Sequence, residues 1–149
     1  MAKPAKFRVM EHDFAPMGRS AAGMASESPV GREDAAAGPA IDLVHLSHQT
    51  LGDSALETEL LSLFDRQAQQ FAGRLSEPLQ EGETRWRADL AHTLKGSARA
   101  IGAFGLAHAA EDYETAIRSD GPDIDARLGR LVAAIGVARG AIANLLGRA

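Results

Sequence analysis

A chain of 149 residues has room for one ordinary domain, or for a smaller domain carrying an arm, and not for two packed domains. With no cysteine it can form no disulfide, thiolate metal site or thiol nucleophile. Its 16 Lys+Arg against 20 Asp+Glu, net charge -4, make a poor footprint for nucleic acid, so a protein partner is the better expectation. Uninterrupted apolar runs stay well short of the roughly 18 residues of a membrane span, and residues 1–10 lack the apolar centre of a signal peptide. A cytoplasmic protein without membrane contact is therefore expected. Aromatics are only 5% of the chain, and the abundance of Ala and Leu favours helices over sheet.

Residues 1–40 hold four of the six prolines, four of the fifteen glycines and all four methionines, with five basic and five acidic residues. No helical or strand period runs through them, which predicts a disordered arm rather than a domain. From Ile41 the pattern changes to helices. Asp42 can cap a short helix carrying Leu43, Val44, Leu46 and Leu51 and stopping at Gly52. Ser54 with Glu57 reads as a capping box opening a second helix, with Leu56, Leu60, Leu63, Phe64, Phe71 and Leu75 at helical spacing. This helix should fade between Pro78 and Gly82. A third is predicted from about Glu83 to Ile101, with Gly102 as its stop. A fourth carries Leu106, Ala109, Ala110, Tyr113 and Ile117 and ends at the turn 119–122. The last begins near Asp123 and repeats Ile124, Leu128, Leu131, Val132, Ile135, Ile142 and Leu145. The expected fold is all-α: residues 41–149 form an antiparallel four-helix bundle, with the short N-terminal helix as a lid on one end. Gly129, Gly136 and Gly140 share one stripe of the last helix, where another helix such as the lid is expected to approach closely.

The third helix carries the chemistry. At about 100° per residue, Leu90, Leu94 and Ile101 oppose His92 and form the core stripe, with Trp86, Ser97 and Ala98 flanking it. Arg85, Lys95, Gly96 and Arg99 lie within about 60° of His92, so the imidazole should face solvent among cations. Gly96 is the oddity, because a mid-helix glycine on an exposed face costs stability unless something outside must approach the backbone beside His92. An unprotonated imidazole nitrogen is a competent nucleophile near neutral pH. It can take up a phosphoryl group, whose charge Lys95 and Arg99 are placed to offset.

The segment Ala91-His92-Thr93-Leu94-Lys95-Gly96-Ser97-Ala98, followed by Ile101-Gly102-Ala103, resembles the signature of histidine-containing phosphotransfer domains of bacterial phosphorelays. The helical plan from residue 41 onward is compatible with that family's bundle. The resemblance implies a phosphoryl carrier without kinase activity of its own. His92 would accept the group from an aspartate of one receiver domain and pass it to an aspartate of another. Lys95 would steady the phosphoryl group and Gly96 leave room for the receiver, with Arg85, Asp89 and Arg99 on the partner-facing surface. It further implies response-regulator receivers and a hybrid histidine kinase as partners, a monomer with no cofactor of its own, and Mg²⁺ supplied by the receiver. The sequence departs from some members in placing Glu114 where a glutamine stands on the next helix. An acid there would repel phosphate if it faced the site.

Two other readings are open. One is a bundle that binds a response regulator as a non-phosphorylated adaptor. The other is a metal site on His45 and His48, although no third ligand at matching spacing accompanies them. His108 reads as a surface or boundary residue, and Glu111, Asp112 and Glu114 as a solvated face, since consecutive helical residues diverge by about 100°. No nucleotide-binding loop or Ser-His-Asp order is present.

Overall fold

A computed structural model describes residues 38–148, and within them every regular element is helical. The arm expected over residues 1–40 falls almost wholly outside the described residues. The helices are α1 (Leu43–Thr50), α2 (Ser54–Ser76), α3 (Thr84–Ile101), α4 (Phe104–Ser119) and α5 (Ile124–Leu145). The four longer helices run up and down, each against its chain neighbour, and α5 closes the ring against α2.

Local chemistry sets the helix ends. Asp42 accepts a hydrogen bond from the His45 backbone N–H at 3.0 Å and caps α1 as expected. The cap of α2 lies one residue earlier than the sequence pattern suggests: Asp53 accepts from Leu56 N–H at 3.1 Å. Glu57 is not spent on a capping box, because its carboxylate instead accepts from the Thr50 hydroxyl at 3.0 Å, tying α2 to the end of α1. Gly102 ends α3 with φ +84°, a left-handed conformation that glycine adopts without strain. A Cβ there would also stand 2.7 Å from the Asp42 carbonyl oxygen. The same turn accepts a hydrogen bond from Asp42 N–H to Gly102 O at 2.9 Å, so α1 is pinned over the end of the bundle where α3 passes into α4. The His45 ring meets Phe104 edge-on at 5.0 Å beneath it.

The core is built of Leu46, Leu61, Phe64, Leu75, Leu90, Leu94, Ile101, Leu106, Tyr113, Ile117, Leu131, Ile135 and Ile142, with alanines where helices come close. On α1 only Leu46 of the expected apolar set is buried; Leu43, Val44 and Leu51 are exposed, and Leu51 is the left-handed C-cap. On α2 Phe64 and Leu75 are buried as expected, but Leu61 and Ala68 join them while Leu56 and Leu63 are exposed, so the inward stripe matches the expected one only in part. Arg87 is 2% exposed. Its guanidinium donates to the carbonyls of Arg74 at 3.2 Å and Glu77 at 2.9 Å, closing the C-terminal end of α2. Burial pushes the neighbouring Tyr113 phenol up, with Arg87 opposing the shift.

Among the described residues the glycine stripe of α5 does not serve close packing: a Cβ at Gly129, Gly136 or Gly140 would meet nothing within 4 Å. By length and average hydropathy α5 does qualify as a membrane-crossing helix, which a search for uninterrupted apolar runs overlooks. Within the bundle it buries one stripe, Leu131, Ile135, Ala138 and Ile142, and Arg139 pairs with Asp65 of α2 at 2.9 Å.

Candidate functional site

Leu90, Ala91, Leu94, Ala98 and Ile101 bury one side of α3 against the bundle. That places His92 on the opposite side, with its side chain 61% exposed. The ring does not stand alone. Its Nδ1 lies 3.0 Å from Oε2 of Glu114, which α4 presents from the neighbouring position in the bundle. The Glu114 side chain is only 12% exposed. The Lys95 ammonium reaches its other oxygen, Oε1, at 3.2 Å, and Arg118, one turn further along α4, donates from Nε to Oε2 at 3.0 Å. The same guanidinium bridges back to α3 through Asp89 Oδ1, also at 3.0 Å.

This arrangement favours an ionised carboxylate and, with it, one tautomer of the ring. Burial alone would push the Glu114 carboxyl up. Hydrogen bonds from Arg118 and Lys95, with the charges of Lys95 and His92, outweigh it and hold the group below its ordinary value. An ionised carboxylate can only accept, so in the neutral imidazole Nδ1 carries the hydrogen and donates it, and the lone pair is left on Nε2. Fixing one ring nitrogen by a carboxylate is how a protein selects which nitrogen reacts.

Of the expected residues, Lys95 joins the His92 network through Glu114 and Asp89 through Arg118, whereas Arg85 and Arg99 lie away from the ring. Lys95 is 11% exposed and held against Glu114 rather than projecting as a free cation. Arg99 turns to Glu111 of α4 at 3.6 Å. Arg85 is exposed two turns before His92, beside Arg118 at a shallow cleft. Gly96 has open space where its Cβ would be, so no packing among the described residues explains it. Glu114 does face the site, but its charge is offset by two cations and its contribution is to hold the imidazole. Arg118 is absent from the sequence reading. Its only local signal is the i,i+4 spacing from Glu114, which by itself suggests no more than a surface pair.

Next to His92 a groove between α2 and α3 is lined by Phe71, Arg74, Trp86, Leu90 and Thr93. Trp86 is 41% exposed and the Arg74 guanidinium lies 5.1 Å from its ring centre. Elsewhere, no group of three or more His, Cys, Asp or Glu among the described residues could hold a metal ion, so His45 and His48 gain no third ligand there. His108 is exposed, as expected.

In comparison with known proteins, the family model described as the Hpt domain matches residues 59–147, which takes in α3, α4, α5 and most of α2. Neither the curated proteins nor the solved structures contain a match.

Proposed function

Because the chain belongs to the Hpt domain family, whose members are phosphocarrier modules of phosphorelays, we propose that His92 Nε2 is its phosphoryl acceptor and donor. The observation that carries this reading is the Nδ1 to Glu114 contact on a ring that is otherwise open to solvent. It leaves the nucleophilic lone pair on the accessible nitrogen.

The transfer balances without moving a proton. The Nε2 lone pair attacks the phosphorus of a receiver's aspartyl phosphate. The N–P bond forms as the P–O bond to the receiver's carboxylate breaks, and Nδ1–H stays on the ring, hydrogen-bonded to Glu114. In the onward step a second receiver's carboxylate attacks phosphorus and the N–P electron pair returns to Nε2. Catalysis of this kind is mostly positioning and charge neutralisation. The phosphoryl oxygens carry close to two negative charges and the ring that keeps Nδ1–H carries one positive charge, so the net addition is a single negative charge, which Lys95, one turn from His92 and held at Glu114 Oε1, is the cation assigned to offset. Mg²⁺ belongs to the receiver's side of the reaction. Open space over Gly96 and the apolar groove at Trp86 give the receiver a surface on either side of His92. On this reading the partners are receiver domains of response regulators and of a hybrid histidine kinase, and the protein works as a cytoplasmic monomer.

Incubation with a phosphorylated receiver domain should label the chain once, at His92. His92→Gln should abolish the label and leave helical content unchanged, since the side chain lies outside the core. Label retained by His92→Gln would refute the assignment. Receiver binding without any label on the parent chain would replace it with the adaptor reading.

A further inference from the structure

A cleft lined by Thr84, Arg85, Ala88 and Arg118 brings two arginines together on the His92 side of the bundle. Arg85 precedes His92 by seven residues, which sets it about 10 Å towards the start of α3 and within about 20° of the imidazole around the helix. The other cations near His92 are spent on acids: Lys95 on Glu114, Arg99 on Glu111, and Arg118 on Glu114 and Asp89. Arg85 is exposed, with neither a hydrogen bond nor an ion pair among the described residues. Its charge is unspent.

Local stability does not account for an arginine at this position. Residue 85 is the second residue of α3, where the positive end of the helix favours acids and disfavours cations. The first turn of α3 holds no acid, and Glu83 makes no side-chain cap bond to it. The Glu83 carboxylate accepts instead from the Gln80 N–H at 3.0 Å. Arg118 in the same cleft adds like-charge repulsion. An anion brought from outside would relieve all of these at once.

We infer that Arg85 selects among receivers by taking a carboxylate from the receiver's docking face, an Asp or Glu side chain, into this cleft. This rests on the carrier reading above and adds to it a charge requirement on the partner. A standard protein interface covers about 800 Å² on each side, a patch about 30 Å across, so a receiver seated on His92 spans the cleft as well. Helical side chains lean towards the N-terminus, so Arg85 leans away from the imidazole and towards the edge of that patch. A charge so placed acts on association and its salt dependence, and not on the chemical step. The chain's net charge of -4 repels an acidic partner at long range, which makes a local unspent cation the means of admitting one.

The test uses the full chain and the receiver domain of the source organism that labels it fastest, with transfer measured against chain concentration to give KM and kcat. Ionic strengths of about 0.01 and 0.15 M are compared, where the screening length falls from about 30 to 8 Å. The variants are Arg85→Ala, Arg85→Glu and, as a control on an exposed position of α5, Arg130→Glu. An acid at residue 85 suits the helix start, so Arg85→Glu should fold at least as well as the parent, which circular dichroism checks. Arg85→Glu should raise KM about tenfold at the lower ionic strength and less at the higher, with kcat within about twofold of the parent. Arg85→Ala should fall between the two, and Arg130→Glu should transfer like the parent. Among receiver variants with surface acids changed singly to Lys, one should restore transfer to Arg85→Glu. An unchanged KM in Arg85→Glu, a loss in kcat instead, or no restoring receiver variant would overturn the inference while leaving His92 as the acceptor. Absence of label on the parent with every receiver would remove the carrier reading itself, and the inference with it.

Discussion

Gly96 offers a prediction in which stability and function move in opposite directions. It sits inside α3, four residues after His92, and a Cβ built on it meets no atom of the described residues within 4 Å. Replacing it with Ala should therefore add no clash and recover the helix propensity that glycine forfeits, about 1 kcal/mol. For a domain of this size that is a rise in melting temperature of about 3–6 °C. Leu has nearly the helix propensity of Ala, so Gly96→Leu should also melt at or above the parent. Its side chain, however, projects within about 40° of His92, into the space a receiver would need. Thermal melts by circular dichroism and phosphotransfer rates from one phosphorylated receiver, measured on both variants, decide the matter. The expected outcome is two proteins at least as stable as the parent, with Gly96→Leu transferring at least tenfold more slowly, equivalent to about 1.4 kcal/mol in the barrier. Parental transfer by Gly96→Leu would refute steric clearance as the reason for the glycine. A lower melting temperature for Gly96→Ala would refute the open environment from which the argument starts.

Three further outcomes follow from other contacts. Lys95→Ala removes a charge-assisted contact worth about 1.5–3 kcal/mol at most; it should slow phosphotransfer to His92 while leaving receiver binding, measured by calorimetry, within twofold. Arg87→Ala deletes the buried donor to the last carbonyls of α2 and should lower unfolding free energy in urea by about 2–4 kcal/mol, with His92 still phosphorylated in the folded fraction. Gly102→Ala places a Cβ 2.7 Å from the Asp42 carbonyl oxygen at a positive φ and should lower it by about 2 kcal/mol or more, which the same titration reads.

Much of this protein is written in short-range pattern. The periodicity of Leu90, Leu94 and Ile101 places His92 away from the core, and Asp42, Gly102 and the turn after Ser119 mark helix ends near where they occur. These features depend on residues within one or two turns of each other, where 100° steps and capping geometry decide the outcome. Stripe choice on α2 is less legible, because several leucine registers satisfy the same period and only the packed neighbours select Leu61 and Ala68 over Leu56 and Leu63. The setting of His92 is a matter of tertiary structure altogether. Glu114 is 22 positions away in the chain, and nothing local distinguishes an acid that repels phosphate from one whose charge is offset and whose oxygen holds the ring. Packing of α3 against α4 makes that distinction: it removes the carboxylate from water and brings Lys95 of α3 to one oxygen, while Arg118, on the carboxylate's own helix, holds the other. An anion so placed is stable only with such partners, and its further partner among the described residues is the imidazole that the helical period turns outward.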